Sequence, residues 1–282
     1  MNRRRAEERF FGWLMRGALG VVLASFAALV LTVLVKGAGA LSVSMLVETP
    51  KAGYYLGGGG GIANAIVGSL CLGLGAMVLA ILMSLPVAFA LQREYLPRTV
   101  VRVTRLSLDI LWGTPSIVLG AFAFVLMPVF GIRASLLGGI LVLALLMLPI
   151  MIRAIEEVIR LVPGEVKETA YAMGATRFEA TRAVVWRQAL PGVVTAVLLA
   201  FGRGIGDAAS ILFASGYTDY LPGSLTDPVA SLPLAVFFQY GTPVPEVQQR
   251  AYAAALVLLV LVLLVSVGAR LLGRRYSRNI IR

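Results

Sequence analysis

Apolar positions in this chain gather into six long runs, separated by short polar stretches or by segments rich in glycine and proline. The runs cover approximately 17–35, 62–91, 106–130, 135–152, 191–215 and 251–272. A helix needs roughly 20 apolar residues to cross a hydrocarbon core of about 30 Å. The pattern therefore predicts an all-α membrane protein with six spans. The second run is longer than a span requires, so it is expected to tilt, to kink at Pro86, or to continue past the membrane.

The polar segments carry the orientation. Twenty of the 25 Lys and Arg residues lie before the first run, at or beyond the end of the last, or in the second-to-third and fourth-to-fifth connections. On the other side are only Lys36, Lys51, Arg133 and Arg250, and Arg203 falls within a run. The positive-inside rule then places both termini in the cytoplasm. The first run has a second reading, because basic residues followed by an apolar stretch and Ala38-Gly39-Ala40 can mark a cleaved signal peptide. Its 19 residues exceed the 7–15 of a usual signal core, which favours an uncleaved anchor.

Composition agrees: 59% of the residues are apolar, 14% are charged and the mean hydropathy is +0.89. The net charge of +11 follows from the loop asymmetry and needs no nucleic-acid partner. Cys71 stands alone and histidine is absent, which removes intrachain disulfides, histidine-based triads and most transition-metal sites. None of the three lysines follows a glycine, so the chain has no phosphate-binding loop of the kind that holds ATP. The organisation expected is a cytoplasmic segment over 1–16, a first span with its external loop over 17–61, a core of five spans over 62–272, and a basic tail over 273–282. The five-glycine run Gly57 to Gly61 reads as a flexible external linker. The apolar stretch from Leu232 to Phe238 reads as a short interfacial or re-entrant helix.

The largest polar segment, 153–190, reads as a helical hairpin. Pro163-Gly164 breaks the chain, Glu165 to Met173 is helix-forming, and Gly174 suits a helix C-terminus. Thr176-Arg177-Phe178-Glu179 has the spacing of a capping box opening a second helix toward Leu190-Pro191. On pattern alone this could be a solvated hairpin without further role. Glu168-Thr169-Ala170-Tyr171-Ala172-Met173-Gly174 resembles the EAA loop of bacterial ABC-importer permeases, with Thr169 in place of the middle alanine. The resemblance implies that Glu168, Thr169, Ala170 and Gly174 belong to a coupling helix that docks on an ATPase subunit.

Further motifs are similar to those of the permeases of ABC phosphate importers. Gly113-Thr114-Pro115-Ser116-Ile117-Val118-Leu119-Gly120 resembles their third-span motif. Gly202-Arg203-Gly204-Ile205-Gly206-Asp207-Ala208-Ala209 resembles their Arg-x-x-Gly-Glu-Thr-Ala-Pro segment, with Asp207 for Glu and Ala208 for Thr. Leu232-Pro233 ahead of Phe237-Phe238 resembles the PstA-type subunit. The resemblance implies a type I ABC importer permease bundle, with a PstC-like second permease, two copies of a PstB-like ATPase binding ATP and Mg, and an external PstS-like phosphate-binding protein. No cofactor is expected in this chain. Sulfate, molybdate or phosphonate remain alternative anions, and a six-span membrane enzyme or sensor is the alternative outside transport.

Four residues are candidates for a substrate path. A charge in mid-span costs roughly 2.5–3.5 kcal/mol on insertion scales, so Arg203 needs a partner, and Asp207 lies one turn on. The pair either lines an anion path or only neutralises a buried charge. A guanidinium suits phosphate because it stays charged and offers a planar donor fork. Arg153 is implied in transport by the resemblance, or else anchors the membrane interface. Ser116 could donate to an anion, although the small residues around it also suit helix packing.

Overall fold

The computed structural model describes residues 2–92 and 95–276. Arg93, Arg278 and Arg282, counted above on the basic side, lie outside the described residues. Among the described residues the structure is helical without strands, its single β-bridge joining Pro50 to Gly60. Five helices are long and apolar enough to cross a membrane, and a bent pair makes six when taken as one span.

The elements are α1 (Asn2–Ala40), α2 (Val43–Val47), α3 (Ala63–Ala90), α4 (Arg98–Gly113), α5 (Ser116–Leu126), α6 (Leu136–Arg160), α7 (Gly164–Ala172), α8 (Arg177–Ala180), α9 (Trp186–Ile205), α10 (Leu232–Tyr240) and α11 (Pro245–Tyr276). The centre is α6, flanked by α3 and α9. Met147, Met151, Ile155 and Ile159 form one buried stripe on α6. They meet the small stripe Ala76, Ala80, Ser84 and Ala88 of α3, and Ala189, Val193, Ala196 and Ala200 of α9. Small residues at these spacings let apolar helices approach closely, and packing is the main gain available where lipid is as apolar as the side chains. By contrast α1 lies outside the bundle with its apolar face uncovered, touching α11 where Gly37 meets the Tyr252 carbonyl.

Three of the expected elements differ. The third run is not one straight helix: α4 and α5 meet at a bend of 103°. Pro115 lacks an amide donor and forces Thr114 out of helical geometry, to a ψ of 128°. The fifth long helix starts earlier and ends earlier than the apolar run. Helical backbone continues from Arg177 to Ile205 through a π turn at Thr181–Val185 and straight through Pro191. After Ile205 the chain turns, yet Ile211, Ala214 and Ser215 remain buried. Irregular backbone at such a position is tolerated because protein, not lipid, surrounds it.

The glycine run is also not a free linker. The Gly58 amide donates to the Gly53 carbonyl at 2.8 Å and the Lys51 amide to the Gly59 carbonyl at 3.3 Å. A Cβ on Gly60 would stand 2.6 Å from the Lys51 nitrogen, and the φ of +123° there suits only glycine. The stretch from Leu232 does form a helix, but its first turn is fully buried rather than interfacial. Its leading amide donates to Ser69 Oγ at 2.7 Å, and Ser231 caps it.

Candidate functional site

Arg203 stands in the last turn of α9. Its Nη1 donates to Asp207 Oδ2 at 2.9 Å, while the side chain remains 50% exposed. Asp207 is buried, and its second oxygen, Oδ1, accepts the Ser210 amide at 2.7 Å. One carboxylate therefore does two things: it caps the turn that ends α9 and grips one edge of the guanidinium. Among the described residues no other acceptor meets Arg203, so Nε and Nη2 stay available to a ligand.

The three glycines beside the pair are not equivalent. Gly204 packs against Met147, where a Cβ would collide, whereas Gly202 faces open space. Gly120 of α5 packs on the Ser210 carbonyl. Ser116, half-buried and at the start of α5, lies one turn before Gly120 on the same face. The structure thus gathers Arg203, Asp207 and the Ser116 face of α5 around the turn after α9. The Ser210 hydroxyl is buried there without a hydrogen-bond partner.

Arg153 is elsewhere. Antiparallel packing sets Gly204 against Met147 and Gly192 against Val158. Arg153, six residues beyond Met147, is therefore offset by about 9 Å along α6, at 1.5 Å per residue. It bonds Asp109 at 2.5 Å and the Arg105 carbonyl at 3.1 Å, and approaches Glu156 at 3.6 Å. Arg105 also bonds Glu156, and Arg160 reaches it at 3.2 Å. Glu156 is thus a buried carboxylate shared by three arginines, and it ties α4 to α6. Sequence reasoning missed it. The signal was present in the spacing, since Glu156 follows Arg153 by three residues and precedes Arg160 by four.

The hairpin has the expected chemistry. The Gly174 amide donates to the Tyr171 carbonyl at 2.9 Å and the Ala175 amide to Ala170 at 3.0 Å, the paired bonds of a Schellman ending. Gly174 has a φ of +83°. The capping box is complete: Thr176 Oγ1 accepts the Glu179 amide, and Glu179 accepts the Thr176 amide at 2.8 Å. Those bonds from Thr176, its backbone amide foremost, hold the Glu179 carboxyl below the usual range. No residue of α7 is buried, Glu168 and Thr169 are exposed, and Ala170 is half-buried. Met173 and Phe178 project apolar side chains that are 85% and 68% exposed.

At the opposite end lies another group that sequence reasoning missed. The Tyr55 hydroxyl donates to Asp219 Oδ1 at 3.0 Å, and the Tyr217 hydroxyl stands 3.3 Å from it. Burial pushes the Tyr217 hydroxyl up to about 12. Arg250 lies over the Tyr54 ring at 4.6 Å and donates to the Tyr54 carbonyl. These bonds tie the 50–61 segment to α11 and to the 217–219 turn.

Residues 84–278 match the model of the binding-protein-dependent transport system inner membrane component family. The chain belongs to this family. Among its relatives is the phosphate transport system permease protein PstA of Yersinia pestis, 34% identical over 84% of this chain and 80% of that protein. The protein of the same name from Xylella fastidiosa is 39% identical over 76% of this chain and 75% of that one. The counterpart from Mycobacterium leprae is 37% identical over 72% and 67%. A chain of the MetNI methionine ABC transporter in an inward-facing conformation matches the fold with a TM-score of 0.61, at 21% identity, over 78% of this chain and 96% of that one. The chain is a multi-pass permease subunit of an ABC transporter of the inner membrane, and hydrolysis of ATP belongs to a separate subunit.

Proposed function

We propose that this permease is the PstA-type subunit of an importer that moves inorganic phosphate across the cytoplasmic membrane. The observation that carries the reading is the half-exposed side chain of Arg203, its guanidinium held on one edge by Asp207 and without another partner among the described residues. A planar fork with free Nε and Nη2 fits two phosphate oxygens side by side. Asp207 offsets part of the positive charge, so an anion is attracted yet not trapped. A translocation site needs that balance, because it must also release what it binds. The names of the relatives supply the anion. Ser116 would add a hydroxyl from α5, and Arg153 would act indirectly by fixing α4 beside α6.

Coupling follows from the hairpin. α7 and α8 expose Met173 and Phe178 on a unit whose turn is locked by Gly174 and the capping box. Such a unit can enter a groove on an ATPase subunit and move as a rigid piece, with Glu168, Thr169 and Ala170 on the docking helix. Two ATPase chains with ATP and Mg, a second permease of PstC type and an external phosphate-binding protein would complete the importer. Both termini would be cytoplasmic, which sets the hairpin on the ATPase side. Transport would follow from shifting the permease pair between outward- and inward-open states.

The test is uptake of labelled phosphate, sulfate and molybdate by the full importer in vesicles, for the wild type and Arg203→Gln. Phosphate uptake lost in the variant, with the subunits still assembled, is the expected result. Accumulation of sulfate or molybdate in preference to phosphate would overturn the choice of anion.

A further inference from the structure

The helix α4 carries a feature that transport through Arg203 does not use. Arg98, Arg102, Arg105 and Asp109 recur at spacings of four, three and four, so they share one face. Beside that face runs a second stripe, Val103, Leu106 and Ile110, whose side chains are all more than half exposed. A third face, with Val101 and Leu108, is buried against the bundle. Because of the 103° bend at Pro115, α4 does not continue the line of α5.

Arginines line the cleft between α4 and α6. Its volume is about 720 Å³, and Arg98, Arg102, Arg105 and Arg153 face it together with Asp109 and Leu106. Arg105 and Arg153 are fixed by Glu156 and Asp109. Arg98 and Arg102 have no acidic partner among the described residues. Among the described residues Glu156 and Asp109 are already engaged by Arg105, Arg153 and Arg160, so Arg98 and Arg102 add two positive charges at the mouth of the cleft that these carboxylates do not pair.

We propose that this cleft binds the phosphodiester headgroup of an anionic diacyl phospholipid, with an acyl chain lying along Val103, Leu106 and Ile110. The juxtaposition selects the ligand. A phosphodiester fits preorganised guanidinium forks, and the adjacent exposed apolar stripe gives a chain attached to that phosphate somewhere to lie. A free phosphate has no use for the stripe, and a neutral lipid has no use for the unbalanced charge. An amphipathic helix with arginines beside an apolar face is also the form that rests at a membrane surface. The assignment requires only that the chain spans a membrane and is independent of which anion is transported.

The experiment is native mass spectrometry of the detergent-purified full importer, titrated with phosphatidylglycerol or phosphatidylcholine. The variants are Arg98→Gln/Arg102→Gln and Leu106→Glu. The double variant should retain phosphatidylglycerol about 30-fold less well, from two arginines at about 1 kcal/mol each. Phosphatidylcholine retention should be weak and the same in both proteins. Leu106→Glu should weaken phosphatidylglycerol through the acyl stripe alone. Subunit assembly and basal ATP hydrolysis should be unchanged in both variants, since Arg98 and Arg102 have no acidic partner among the described residues and Leu106 is exposed. Three results would overturn the proposal. One is equal retention of the two lipids. Another is displacement of phosphatidylglycerol by millimolar inorganic phosphate, which would make the cleft a free-phosphate site. The third is indifference to both variants, which is expected if a neighbouring subunit covers α4.

Discussion

Arg203 and Arg153 carry the same side chain on adjacent helices, about 9 Å apart along the axis, yet the fold uses them in opposite ways. Arg203 has one carboxylate partner on its own chain segment and leaves half its surface open. Arg153 is clamped by Asp109, by the Arg105 carbonyl and by Glu156, and its side chain is 26% exposed. The first arrangement can take a ligand without breaking anything. The second can do so only by loosening the joint between α4 and α6. An arginine within an apolar helix is thus a poor guide to role until its partners are counted.

That contrast is open to direct attack. The largest effect should come from Arg203→Gln, which removes two charge-assisted bonds of about 1.5–3 kcal/mol each to the anion. Phosphate uptake should fall at least about 100-fold with assembly intact, and Arg203→Lys should restore only part, because the fork is lost. Glu156→Gln should act on the fold instead. It removes the buried carboxylate that joins Arg105 to α6, while Arg153 keeps Asp109 and Arg160 keeps Glu157. Because these arginines are partly exposed, the cost should fall below the ~3–5 kcal/mol of a fully buried pair. Thermal unfolding of the purified permease should show this, whereas uptake per folded molecule should fall far less than in Arg203→Gln.

Smaller effects belong to the hairpin. Gly174→Ala forces a side chain into positive φ at a cost of about 1–2 kcal/mol, and Glu168→Arg reverses a charge on the docking helix. Each should weaken stimulation of ATP hydrolysis by loaded binding protein and spare the membrane core. Thr176→Ala should cost about 1 kcal/mol by removing the cap, visible as faster amide exchange in α8. The Glu179 half of the box has a definite pH sense. Its carboxyl is held below the usual range, so its contribution is full at neutral pH. That contribution is lost only as the pH falls through the lowered value. Protection of the α8 amides, taken relative to their intrinsic exchange rates at each pH, should therefore be steady through mildly acidic pH and fall below it.

Much of this architecture was legible in the sequence because its signals are local. Apolar run length gave the spans, Gly174 gave the Schellman turn, and Thr176 with Glu179 gave the capping box. The four-residue spacing of Arg203 and Asp207 gave their ion pair. What was not legible depends on contacts between distant segments. The break after Gly113 hides within a continuous apolar run, since hydropathy does not register the missing amide of Pro115. The end of α9 at Ile205 hides in the same way, because the residues that follow are buried and apolar although not helical. The glycine run looked flexible because backbone bonds to Thr49, Lys51 and Gly53 leave no trace in composition. For Glu156 the local spacing to Arg153 and Arg160 was readable, but its tie to α4 was not, because Arg105 is 51 residues away.

The most direct test of the open-guanidinium account is the double variant Arg203→Gln/Asp207→Asn, measured for phosphate uptake and for subunit assembly in the full importer. Both side chains are then neutral, so no unpaired charge is left to disturb the fold. If the guanidinium binds the passing anion, the importer should assemble at wild-type levels and fail to accumulate phosphate, while Asp207→Asn alone retains uptake at an altered rate. A double variant that transports at the wild-type rate would contradict the account and leave Arg203 and Asp207 as a structural ion pair.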